Sequence, residues 1–85
     1  MKTRVAVISI IVTEPEAVDE LNAVLSGCRD YIIGRMGLPY REKNVNLICV
    51  AIDSPEDVIN TLTGKIGRLK GISAKTNYSN IITEN

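Results

Sequence analysis

At 85 residues the chain is sized for one domain. Ten basic and ten acidic side chains cancel and histidine is absent, which argues against the basic excess of nucleic-acid-binding and membrane-surface proteins. Hydrophobic residues make up 45% but include neither Phe nor Trp, so the core must come from Val, Ile, Leu and Ala, with burial by a second subunit a useful supplement.

The chain opens with Met1-Lys2-Thr3-Arg4 and the apolar run Val5–Val12, an outline that mimics a signal peptide. The run has only eight residues, no small-residue cleavage site follows, and acids arrive at Glu14. No stretch approaches the ~20 apolar residues that span a bilayer. Cys28 and Cys49 are too few for a disulfide framework and suit a reducing compartment. The expectation is a cytoplasmic protein with no membrane contact.

Val5–Val12 is rich in β-branched residues and predicts a strand. Thr13-Glu14-Pro15-Glu16 then predicts a helix start, with Thr13 and Glu16 at capping-box spacing and Pro15 in the first turn. Ala17, Val18, Leu21, Val24, Leu25 and Cys28 form one apolar stripe, and Gly27 marks the stop. Tyr31–Met36 predicts a second strand and Val45–Asp53 a third. Ser54-Pro55-Glu56-Asp57 predicts the clearest helix start, with Ser54 as cap. Val58, Ile59, Leu62, Ile66 and Leu69 supply the second stripe. Gly71 ends it, and Ile72–Ser79 predicts a last strand with Ala74, Thr76 and Tyr78 on one face. The polar tail 80–85 is expected to fray.

A shift of 40 residues lays the second half on the first: Ile8, Ile10, Val12, Pro15, Glu16, Val18 and Gly27 fall on Ile48, Val50, Ile52, Pro55, Glu56, Val58 and Gly67. Two strand–helix–strand units give βαββαβ, a single ferredoxin-like α+β domain over 1–85, with one antiparallel sheet and both helices on one face. Right-handed crossovers place the first and third strands in the centre. Both of these strands are apolar on both faces, apart from Ser9 and Asn46. A sheet covered on one face should alternate. The open face therefore predicts a partner, most simply a homo-oligomer, either a dimer or a tetramer.

Catalysis finds little support. There is no histidine, and the acids sit mostly at helix starts, where capping explains them. The two cysteines lack the closely spaced companions of a metal site and read as core residues. The sequence names no cofactor. Gly34-Arg35-Met36-Gly37 is no phosphate loop, since it lacks the Gly-Lys-Ser/Thr ending. Its bare glycines leave room for a ligand or another chain. Arg35, Arg41 and Lys43 suit an anion or, taken one by one, read first as solvated charges on a hairpin, with Tyr40 as a packing lid or interface anchor. Gly64-Lys65-Ile66-Gly67-Arg68 suggests helix termination or close packing first and an anion site second.

Tyr31–Glu42, Leu62–Leu69 and Ser73–Tyr78 together resemble the small proteins known as iron-only hydrogenase system regulators. The resemblance spans Arg4 to about Ser79 and implies a ferredoxin-like fold similar to ACT domains and to the C-terminal domain of the nickel-responsive regulator. The absence of histidine removes that regulator's usual nickel ligands. The short stretch before Val5 leaves no room for its DNA-binding segment, so direct nucleic-acid binding is not expected. In ACT-like assemblies ligands sit near glycine-bearing turns at subunit interfaces. The resulting expectation is a non-enzymatic regulatory oligomer that binds a small effector at Gly34, Arg35, Gly37, Tyr40, Arg41, Lys65 and Arg68. The alternative is a protein-interaction module with no small ligand.

Overall fold

The computed structural model describes residues 1–84; Asn85, part of the tail expected to fray, lies outside the described residues. The chain runs β1 (Lys2–Val12), α1 (Val18–Ser26), β2 (Ile32–Tyr40), β3 (Val45–Ser54), α2 (Glu56–Gly67) and β4 (Ile72–Glu84), with short 3₁₀ turns before α1, β2 and β3. The strands form one antiparallel sheet in the order β2-β3-β1-β4, the ferredoxin-like arrangement expected from the repeat.

The central pair sets everything else. Ile8 pairs with Val50 and Ile10 with Ile48, and the register is centred on Ser9 opposite Cys49. A 40-residue shift carries Ser9 onto Cys49, so the repeat is a pseudo-two-fold whose axis passes through that one pair. Ala6, Ile8, Ile10 and Val12 of β1, with Ile48, Val50 and Ile52 of β3, face the helices and are buried beneath Leu21, Leu25, Ile59, Leu62 and Ile66. Each large aliphatic side chain so covered contributes about 1.5–3 kcal/mol. Ala17, Leu21 and Leu25 of the first stripe are buried, and Val18, Val24 and Cys28 pack against them. From the second stripe Ile59, Leu62 and Ile66 are buried and Leu69 half-buried, while Val58 stands at the edge of the core.

Neither expected cap forms. The Thr13 N–H and hydroxyl both donate to the Gly71 carbonyl, at 2.7 and 3.1 Å. The start of β4 thus claims the groups that would have capped α1, and the helix is entered instead through a 3₁₀ turn at Pro15–Ala17. Ser54 is buried at the end of β3 and donates its hydroxyl to the Pro55 carbonyl at 3.0 Å, leaving Pro55 as the cap residue. The strands also extend past their expected ends, β2 to Tyr40 and β4 to Glu84.

The longer β4 corrects the expectation of fraying from Asn80. Between Arg4 and Ala6 the β1–β4 register shifts, and beyond it Ile82, Thr83 and Glu84 pair with Arg4, Thr3 and Lys2. Side chains hold the irregularity in place. The Ser79 hydroxyl donates to the Val5 carbonyl at 2.6 Å, and Arg4 Nε donates to the Ser79 carbonyl at 2.8 Å. The Arg4 guanidinium also lies 4.8 Å from the Tyr78 ring centroid and 3.3 Å from the Glu56 carboxylate. The Tyr78 hydroxyl completes the clamp by donating to Asn60 Oδ1 on α2.

Gly71 enters β4 with φ +76°, and a Cβ there would fall 2.5–2.7 Å from Glu14 side-chain atoms. Gly71→Ala should therefore cost about 1–3 kcal/mol in urea unfolding. Gly64, exposed on the solvent side of α2, has nothing within 4 Å of its would-be Cβ. Gly64→Ala should accordingly gain up to about 1 kcal/mol in the same assay. Desolvation, seconded by the Glu56 charge and opposed by Arg4, raises the Tyr78 phenol above its ordinary value of 10.0. The folded state then keeps this proton longer than the unfolded chain does. The corresponding stability is fully present below pH 10 and is lost as pH rises through the folded value. Tyr78→Phe should flatten that alkaline loss in urea midpoints measured from about pH 8 to 11.

Candidate functional site

Strand alternation decides which side chains reach the uncovered face. From β1 it takes Val5, Val7, Ser9 and Ile11, and from β3 Leu47, Cys49, Ala51 and Asp53. On β2, Met36 pairs with Cys49 and Leu38 with Leu47, so both extend the apolar face to the sheet edge. Ser73, Lys75 and Asn77 line it from β4. Met36 is 69% exposed and Leu38 61%, while Ile11 and Leu47 are exposed to a lesser degree. A shallow depression of about 260 Å³ runs among Ser9, Ile11, Met36, Leu38, Leu47 and Cys49. The apolar open face read from β1 and β3 is therefore present, and it is wider than the central strands alone foretold.

The seven residues expected to bind a ligand are dispersed. A bulge between Ile32 and Gly34 adds one residue to β2 opposite Ile52 and Ala51. One extra residue turns every later side chain to the other face. Gly34 and Tyr40 consequently share the face of Met36, whereas Arg35 and Gly37 are on the helix side, beyond α1. There Arg35 and Gly37 join Val18, Leu38, Pro39, Asn46 and Ile48 around a depression of about 250 Å³. Tyr40 and Arg41 border a smaller one with Asn44 and Asn46, and the Tyr40 hydroxyl donates to Glu42 at 3.0 Å. A Cβ on Gly34 or Gly37 would meet nothing within 4 Å, so neither glycine is required by contacts inside the protomer.

Lys65 and Arg68 belong to α2. Lys65 lines a groove of about 220 Å³ between the helices, with Val24, Cys28, Asp57, Thr61 and Leu62. Arg68 caps the C-terminal end of α2 beyond Gly67, in agreement with helix termination at that glycine. The two free cysteines are on opposite sides of the sheet, Cys28 against the helical core and Cys49 on the open face. Among the described residues no three His, Cys, Asp or Glu side chains converge as a metal site, and no helix is long and apolar enough to cross a membrane. Two residues of the open face escaped the sequence reading, Asp53 and Lys75. Counting alternate positions outward from Cys49 would have found Asp53, and Lys75 falls opposite the Ala74, Thr76 and Tyr78 face of its own strand.

Four antiparallel strands, two helices on one side and a bare apolar face on the other define a ferredoxin-like α+β domain. The chain belongs to the TM1266-like family, described as iron-only hydrogenase system regulators with that role still provisional, whose sequence pattern matches residues 4–76. The solved structure of TM1266 from Thermotoga maritima, itself described as uncharacterized, is similar at a TM-score of 0.85 and 30% identity, over 89% of this chain and 96% of that one. The C-terminal domain of the MgtC protein from Mycobacterium tuberculosis shares the fold, with a TM-score of 0.68 at 12% identity over 89% and 87% of the two chains. So does a formyltetrahydrofolate deformylase from Pseudomonas putida, with a TM-score of 0.65 at 16% identity. That likeness covers 91% of this chain but only 29% of the deformylase. No curated protein sequence matches the chain.

Proposed function

We infer that the protein is a regulatory homo-oligomer of the iron-only hydrogenase system, joined copy to copy through the open sheet face, that takes a small anionic effector beside Arg35. The observation that carries this is the apolar face itself, with Ile11, Met36, Leu38 and Leu47 exposed on one side of a sheet whose central strands are covered by helices on the other. Four strands about 4.8 Å apart and about eight residues long present roughly 500 Å² of footprint per copy. Two copies stacked there would bury on the order of 1,000 Å², the threshold for a specific interface.

For the effector, Arg35 offers a planar donor fork suited to a carboxylate or phosphate. Val18, Leu38 and Ile48 beside it suit a short apolar body, and Gly37 leaves the backbone approachable. Tyr40 and Arg41 flank this position, while Lys65 and Arg68 do not line it. The exposed β2 edge favours a second reading, in which a protein partner, not a small molecule, engages this same strand.

Sedimentation equilibrium should find the wild-type protein associated at micromolar concentration. Ile11→Asp should weaken the association about 100-fold or more, because each copy would bury a charge against apolar surface, while circular dichroism stays native. In thermal-shift assays a panel of small carboxylates and phosphates should stabilise the wild type but not Arg35→Ala. A monomeric wild type untouched by the whole panel would turn the assignment to the interaction module.

A further inference from the structure

The open face sets two charges among apolar and small polar side chains. In the rows from Leu47 to Asp53, the described residues include one acid, Asp53 on β3, and one base, Lys75 on β4. The Asp53 Oδ1 atom is buried without a hydrogen-bond partner. The ion pair found among the described residues joins Arg4 to Glu56, so both Asp53 and Lys75 are left without an opposite charge. They cannot reach one another within a protomer. Lys75 is level with Ser9 and Cys49, whereas Asp53 is four residues further along β3 and two strands across. At standard strand spacings that separation is about 16 Å.

We propose that Asp53 of each copy pairs with Lys75 of a second copy, and that these two reciprocal ion pairs fix how the sheets stack. This rests on the face-to-face oligomer inferred above and specifies its geometry. A two-fold axis lying between the stacked sheets exchanges the two positions only if it passes over their midpoint, which falls on β1 at Val7, beside Ala51, near the centre of the face. Extended along the same line, the axis runs over Met36, the most exposed large apolar side chain of the protomer, so the two Met36 side chains meet each other. The strands of the two sheets then cross steeply, toward the orthogonal class of sheet packing. A charge pair and an apolar anchor chosen independently thus fall on one symmetry operation.

Charge exchange tests the pairing by sedimentation equilibrium. Lys75→Glu and Asp53→Lys alone should each raise the dimer dissociation constant about tenfold or more, and the double exchange should restore it to within a few-fold of wild type. Because Asp53 is partly buried and its replacement could unfold the chain, a second measurement stands apart from it. Met36→Cys in a background with Cys28 and Cys49 changed to alanine should form a disulfide-linked dimer under mild oxidation, whereas Lys2→Cys in that background should not. Single reversals that leave a wild-type dimer unweakened, a double exchange no tighter than its singles, or a Met36→Cys variant that fails to cross-link would each overturn the pairing while the face-to-face oligomer stands. A monomeric wild type would overturn both.

Discussion

Antiparallel pairing of β1 with β3, centred on Ser9 opposite Cys49, is the constraint on which the fold depends. It places two strongly apolar strands side by side with helices available for only one face. Ile8, Ile10, Val50 and Ile52 find cover beneath α1 and α2. Val7, Ile11, Leu47 and Cys49 do not, because both helices lie on the other side of the sheet. The cost of that arrangement is an exposed apolar surface, and the same surface is what the protein has to offer a partner. The stability of the fold and the assembly proposed above both trace to one strand pairing.

The pseudo-two-fold within the chain explains both why the fold could be read so fully from the sequence and where that reading failed. Helical stripes, β-branched runs and a 40-residue repeat all pointed to βαββαβ, and each is a local pattern that survives into the packed structure. Caps are different, because a capping side chain competes with tertiary partners. Thr13 turned to the Gly71 carbonyl and Ser54 to the Pro55 carbonyl, partners that no local pattern brings together. The C-terminal extension of β4 depended likewise on Ser79 and Arg4, which are 75 positions apart.

The candidate site was less readable, and β2 shows why. In the repeat Arg35 corresponds to Lys75, and equivalent positions would share a face. The bulge after Ile32 breaks that equivalence, sending Arg35 to the helix side while Lys75 remains on the open face. A linear motif such as Gly34–Arg41 therefore joins residues that the strand separates. The fold offers no remedy, since it recurs in an MgtC domain at 12% identity and in part of a deformylase at 16%. What distinguishes this chain must be sought in its surfaces.

Among those surfaces the face is a better route to assembly than either edge. An unpaired strand edge invites another strand, and proteins blunt it with bulges, charges and proline. The β2 edge carries a bulge, Arg35 and Pro39, and the β4 edge is broken by the register shift opposite Arg4–Ala6 and flanked by Lys75. Edge-to-edge extension into a continuous sheet is thus discouraged on both sides. The open face has no such device near its apolar corner, where Met36, Leu38, Leu47 and Ile11 stand together. Among the described residues its two charges, Asp53 and Lys75, are of opposite sign and far apart, an arrangement that repels nothing under two-fold symmetry and would reward one orientation over its alternatives. In the oligomer proposed above, a face that is greasy in the middle and singly charged toward two opposite sides would select its own copy in one orientation, the property a regulatory subunit needs if a ligand at its edge is to be felt by its partner.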